Sequence, residues 1–414
     1  MKNLFPMIVS LAALASAHAD TLGIGSGINS FGLDLHRRLA AEGGNVVTSP
    51  WSISSALAMT YGGASGGTKE EMRTVLHLPA EGVPEGFAAI RLDLEELAQR
   101  SQARADEVKR FGGISTPMVI QTANRLFGDE RYPFEKAFLA LTRDSYGAPL
   151  EVVNFRKASE EARGSINGWV ASRTKDRIRE LIPAGAVDAD TRLVLANAIY
   201  LKAAWESEFR NEPDAPFFAG GREAVKVPGL MREGQFGYQI VPGGAAVTIP
   251  YAGGGLHFVL FIPDEREGLT ALEKQLTPEL LSAISQTARR EITLHFPRFK
   301  LEPGRVMLAK NLSAMGMPSA FDVPRGSADF SGIARRQPND YLYISQVIHQ
   351  AFIAVDKHGT EAAAATAVVM PRSTSMPAKK PEPLVIRVDR PFAFAIQHQG
   401  SAVCLFLGRV TDPR

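Results

Sequence analysis

The stretch HQAFIAVDKHGTEAAAAT, residues 349–366, changes character at Gly359. The part before it, from Gln346 to Val355, is a short apolar run of strand length. After it comes GTEAAAATA (359–367), which holds no large apolar side chain. VVMPRSTSMPAKKPEPL (368–384) follows, with Pro371, Pro377, Pro381 and Pro383 among Ser, Thr and Lys. Proline at that density supports neither a helix nor a central strand. An exposed segment of roughly 25 residues between strands is uncommon in a compact domain, and is usually functional or disordered. Read alone, the alanine run would be a helix or a linker, since alanine is the best helix former.

Outward from this segment the chain reads as one α+β body. SISSALAMTYGG (52–63) is apolar at helical spacing and stops at Gly-Gly. Thr68-Lys69-Glu70-Glu71 has the spacing of a capping box. Ser159 to Ile182 places Ile166, Trp169, Val170, Ile178 and Leu181 on one helical stripe that Pro183 stops. Strand-like runs then dominate, at 191–201, 255–263, 291–301, 383–388, 391–398 and 401–410. Helices first and strands later argue against repeated βαβ units. Glu107 to Pro117 is polar and reads as a surface loop. No internal repeat or composition break separates domains.

Composition narrows the function classes. The 414 residues carry a formal net charge of +2, with 45% apolar and 22% charged residues. Those are values of a soluble globular protein, without the basic field that nonspecific nucleic-acid binding needs. MKNLFPMIVSLAALASAHA (1–19) has a cationic start at Lys2, an apolar stretch from Leu4 to Leu14 and a small-residue Ala17-His18-Ala19 end. This is the pattern of a cleaved signal peptide, and its apolar run is too short to span a bilayer. With the mature chain beginning at residue 20, the expectation is a secreted or periplasmic protein, bacterial in character, without a membrane anchor.

Catalytic motifs find little support. Gly63-Ala64-Ser65-Gly66-Gly67 matches the nucleophile-elbow string, but the segment before it is helical by period, where an elbow requires a strand. The single cysteine, Cys404, sits in an apolar run and has no partner for a disulfide or a metal cluster. The eight histidines show no metal-binding spacing, and His349 in QVIHQAFIAV reads as a hydrogen-bonded core histidine. No glycine cluster has the strand-to-helix context of a nucleotide site.

Several stretches, in order, resemble the serpins. They are NVVTSPWSISSALAMTYGGASGGTKEEM (45–72), LANAIYLKAAWESEF (195–209), FVLFIPDE (258–265), ITLHFPRFKLE (292–302), LSAMGM (312–317), HQAFIAVDKHGTEAAAAT (349–366) and VDRPFAFAI (388–396). The resemblance runs from about residue 29 to the C-terminus. It implies a single domain of three β-sheets and about nine helices, with Gly359–Leu384 as an exposed reactive-centre loop. It also implies an inhibitor of serine proteases, or of a cysteine protease, that needs no cofactor or metal and works as a monomer. The target cleaves the loop, is held as an acyl-enzyme, and is carried away as the cut loop inserts as a new strand of the central sheet.

In that setting alternate hinge residues face the core of the sheet. Gly359 opens the hinge; Thr360, Ala362, Ala364 and Thr366 share one face, and Glu361, Ala363, Ala365 and Ala367 the other. The first row is small and suits the core, so Glu361 would point to solvent. Non-inhibitory members carry bulky or charged residues here, which leaves a chaperone or carrier as the alternative function. Lys357 stands where the resembled family usually has a glutamate, which removes the usual salt bridge and either eases sheet opening or is compensated by an acid opposite. Counting forward from Gly359 at the family's usual spacing lands on Ser373, whereas counting back from Pro391 lands nearer Pro377 to Lys380; the expected scissile bond is Arg372–Ser373, suited to a trypsin-like pocket, with Met370, Lys379 and Lys380 as the alternatives. Ser49, Ser52, Asn197 and His349 match the shutter cluster under the opening strands, and Trp205 the breach at their top. Two basic stretches, Arg100–Arg110 and Lys379-Lys380, are candidates for a polyanion.

Overall fold

The computed structural model describes residues 5–113, 115–220, 223–361 and 383–414, with side chains from Thr21 onward except residues 22 and 223. Among these residues there are nine α-helices, one 3-10 turn and seventeen strands, and no helix long and apolar enough to cross a membrane.

The central sheet is organised around the strand Leu193–Ala204. On one side it pairs antiparallel with Val119–Asp129, and on the other it pairs parallel with Gln346–Ala351. Both faces of the strand are covered, which is why LANAIYL reads as a nearly unbroken apolar run. Leu193, Leu195, Ile199, Leu201 and Ala203 enter the main core, while Val194, Ala196 and Ala198 pack with Ile166 and Val170 of the helix Phe155–Arg173.

The strand Glu223–Val241 joins two further sets of strands. Gly237 pairs with Arg289 on one side and Thr248 on the other, and marks the change of partner. Before it lie Arg210–Ala219, Arg289–Pro297 and Leu384–Arg387; beyond it lie Gly244–Pro250, Leu256–Pro263, Phe392–His398, Cys404–Val410 and Val46–Thr48. Hydrogen bonding counts these sets as one nine-stranded sheet because they share this strand. With the central sheet they make up the three sheets expected.

The helix Pro50–Tyr61 has every residue buried, with Ser49 as its N-cap and proline at its first position. Three local expectations need correction. Thr68 is not a cap: the helix starts at Gly66, and Thr68 Oγ1 accepts from the Asp329 amide instead. The helix at 155–173 ends well before Pro183, because Lys175 and Asp176 turn to positive φ; Ile178 and Leu181 are buried from the irregular chain that follows. The region 107–117 is only partly loop, since the helix Val83–Arg110 continues into it.

The first helix runs from Phe5 to Ala40, through the expected cleavage point after Ala19. Its described buried stripe is Ile24, Ile28, Phe31, Leu35 and Leu39, at helical spacing.

Candidate functional site

Asn197 lies in the middle of the central strand, with the parity that faces the helix Pro50–Tyr61. Its Nδ2 donates to Ser52 Oγ at 2.8 Å and to Asn124 Oδ1 at 2.6 Å. Ser52 Oγ donates to Asn124 Oδ1 at 2.7 Å, and Asn124 Nδ2 donates to the Ser52 carbonyl at 2.9 Å. His349 comes from the strand on the other side of Asn197, paired with it in register. The Ser49 amide donates to His349 Nε2 at 3.1 Å, so that nitrogen must be the lone-pair one and Nδ1 carries the proton, which it donates to Asn197 Oδ1. The imidazole is thereby fixed as a neutral tautomer, and complete burial pushes its pKa down to about 3.

The four shutter residues named from the sequence are thus brought together at one point, tying both central strands to a buried helix. Asn124 completes the group and was missed. Its signal was an asparagine inside an apolar strand sequence, TANRLFG (122–128), which hydrogen-bonding demand in a core would have explained.

Above this cluster the sheet has a short gap, and the hinge begins in it. Ile353–Val355 and Gly359–Thr360 form an antiparallel hairpin, and Gly359 and Thr360 pair with Ala204 and Ala203. Asp356 closes the turn, its Oδ1 accepting from the amides of His358 at 2.7 Å and Gly359 at 3.1 Å. Gly359 is required by space: a Cβ there would lie 2.1 Å from the Ala203 carbonyl oxygen. Trp205 stacks on Tyr251 with ring centroids 4.7 Å apart, and its Nε1 donates to the Asp356 carbonyl at 2.9 Å. The hydroxyls of Tyr251 and Thr360 are hydrogen-bonded, both fully buried.

Thr360 therefore faces the core, as its row was expected to. Glu361 does not face open solvent. Its side chain is 9% exposed and ion-paired with Arg177, from the chain after the helix at 155–173. Burial raises its carboxyl above the ordinary value, outweighing Arg177, Lys202 and Lys300, which draw it down. Lys357 has no carboxylate partner among the described residues; the nearby acid, Glu208, pairs with His358 at 2.9 Å.

The remaining candidates separate cleanly. Ala362–Thr366, Met370, Arg372, Ser373, Lys379 and Lys380 lie outside the described residues. Ser65 stands at the N-terminal boundary of the helix Gly66–Val75 without a capping bond from its side chain, and its Oγ accepts from Ser331 Oγ at 3.2 Å, with no imidazole in that contact. Cys404 is buried, which pushes its thiol up to about 12, far from a reactive thiolate. Among the described residues no group of His, Cys, Asp and Glu could hold a metal ion.

This fold, with Gly359–Thr360 seated between Ile353–Val355 and Leu193–Ala204, is matched by known proteins across nearly the whole chain. Residues 26–413 match the family model described as Serpin (serine protease inhibitor). The chain belongs to the serpin family. The leukocyte elastase inhibitor of Sus scrofa is 36% identical over 396 residues, 92% of this chain and 97% of that one. The Homo sapiens protein of that name is 34% identical over the same shares. Uncleaved ovalbumin is similar in structure with a TM-score of 0.74 at 28% identity, covering 94% of this serpin and all of the other chain. Maspin reaches a TM-score of 0.81 at 23% identity, over 95% and 100%, which speaks for the fold alone. This serpin is a serine protease inhibitor and not an enzyme, and its partner class is the target serine protease.

Proposed function

We propose that this serpin traps trypsin-like serine proteases as a suicide substrate, with Arg372–Ser373 as the scissile bond. The observation that carries the mechanism is the position of Thr360. The hinge already enters the gap between Ile353–Val355 and Leu193–Ala204 with a small side chain facing the core. Ala362, Ala364 and Thr366 continue that small row. The protease serine attacks the Arg372 carbonyl carbon, the peptide bond breaks, and the Ser373 amine leaves with the proton that the protease histidine took from its serine. An ester remains, and insertion of the hinge removes it from water before it hydrolyses. The native state must then be held by kinetics as well as equilibrium stability.

Boiling a mixture of the serpin and trypsin in SDS tests this. A stable band at the summed mass, with a released peptide beginning at Ser373, is expected. Cleavage without a complex would overturn the trap, and a peptide beginning elsewhere would overturn the bond. A second reading is favoured by the relatives named elastase inhibitors: an elastase-like target cleaving after Met370. A cysteine protease target and a carrier or chaperone role stand behind these, the last disfavoured by the small hinge residues.

We further infer that the protein works as a monomer outside the cytoplasm, after loss of residues 1–19. Supporting this are the apolar, small-ended leader and a family match that begins only at residue 26. N-terminal sequencing of exported protein would begin at Asp20; retention of Met1 would overturn it.

A further inference from the structure

The C-terminal strand Cys404–Val410 holds a buried cation, Arg409, which is 8% exposed. Its Nη1 donates to Glu273 Oε2 at 3.1 Å and to the Ala40 carbonyl at 3.3 Å. Its Nε is buried with no hydrogen-bond partner, and its Nη2 makes no hydrogen bond among the described residues. Glu273 is already shared, since His36 Nε2 bonds its other oxygen at 2.8 Å. A guanidinium has five N–H donors and no acceptor, so a covered arginine with donors unused calls for a further acceptor.

Arg409 lines a cavity of about 250 Å³ that opens to solvent. Arg266 stands exposed at its rim, the guanidinium carbon 3.3 Å from the centre of the Phe218 ring. That ring fixes the plane of the guanidinium and leaves its N–H edge available. Arg266 has no carboxylate partner among the described residues. Thr270, also exposed, adds a hydroxyl. Leu269 and Pro391, both buried, give the cavity an apolar wall. Arg266 and Arg409 against Glu267 leave the lining with an excess of one positive charge.

We propose that this cavity binds a small aliphatic monocarboxylate, and that the bound anion fastens the C-terminal strands to the rest of the molecule. The carboxylate oxygens accept from Arg409, Arg266 and Thr270, and the aliphatic chain lies on Leu269 and Pro391. A single negative charge matches the excess in the lining, and a planar carboxylate fits the guanidinium fork. The lining comes from two parts of the chain. Arg266, Leu269 and Thr270 precede the segment 359–384, whereas Pro391, Arg409 and Thr411 follow it. An anion held by both arginines therefore bridges the body and the segment that carries Phe392–His398 and Cys404–Val410. No hinge or shutter residue lines the cavity.

The probe is hexanoate, with neutral hexanamide as its control, titrated calorimetrically into the full-length protein. Saturable one-site binding is expected for the acid, about tenfold weaker for the amide and for Arg266→Ala. Thr270→Val should weaken it severalfold. Lys274→Ala, which removes an exposed cation of the same helix outside the cavity, should leave it unchanged. Arg409→Ala would strand Glu273 in the core, so the two rim variants carry the test. Absence of saturable binding, equal binding of acid and amide, or equal losses in Arg266→Ala and Lys274→Ala overturns the site. Binding of inorganic phosphate in preference to hexanoate overturns the monocarboxylate. Saturating hexanoate should slow amide hydrogen exchange in Cys404–Val410 more than in Leu193–Ala204. Equal slowing in the two strands, or none with the site filled, overturns the bridge.

Discussion

The carboxylate of Glu361 and the guanidinium of Arg177 are ion-paired across the top of the central sheet, joining the hinge to the chain that follows the helix Phe155–Arg173. The same guanidinium lies over the Phe352 ring at 5.5 Å, so one side chain clamps the hinge and the strand beside it. Arg177→Ala strands a nearly covered carboxylate and should weaken hinge docking by about 1–3 kcal/mol. Glu361→Gln keeps an acceptor for Arg177 without the charge that burial penalises, and should dock at least as well. Hydrogen exchange at the amides of residues 359–361 would check this; equal protection in both variants would refute the clamp.

Acid should open the shutter through His349. Its native pKa of about 3 lies below the ordinary 6.5, so the closed state excludes a proton that the opened state accepts. Stability from this group is therefore complete above pH 6.5 and is lost as pH falls toward 3, by about 2 kcal/mol at pH 5. His257, held down to about 4 by burial, adds to global unfolding in the same direction. The specific readout is polymerisation rate, which should rise between pH 6.5 and 5 in the native protein and lose most of that rise in His349→Gln.

Asn124→Ala removes the acceptor shared by Ser52 and Asn197 and leaves both donors buried. A loss of roughly 2–3 kcal/mol is expected. Thermal scans would show it as a lower onset of polymerisation; an unshifted onset would mean the network is redundant.

Lys357→Glu should slow polymerisation modestly. The native lysine has no carboxylate partner among the described residues, and a glutamate there restores the acid that forms an ion pair in the family's usual hinge. Such exposed pairs contribute about 0–1 kcal/mol, so the effect is a few-fold in rate. Kinetics identical to the native protein's would sink the idea.

Gly359→Ala should shift the hairpin at the sheet top, because its Cβ would collide with the Ala203 carbonyl. Trp205, bonded to the Asp356 carbonyl of the same turn, reports it by fluorescence. An unchanged spectrum with normal inhibition would show that the hinge accommodates a methyl group.

The sequence by itself determined the α+β body, the strand LANAIYL covered on both faces, the small-residue hinge and the family. Alternation, apolar runs and the order of motifs are local properties of the chain. It also pointed to Ser49, Ser52, Asn197 and His349, through resemblance and not periodicity. What only the tertiary structure decided are relations between distant segments. Asn124 joins the shutter because its strand pairs in register with Asn197. Glu361 is covered and not solvated because Arg177, 184 residues away in the chain, folds over it. The helix at 155–173 stops early because two residues leave helical φ, although the apolar stripe continues. Spacing fixes which side chains share a face, but what covers that face depends on packing against segments far off in sequence.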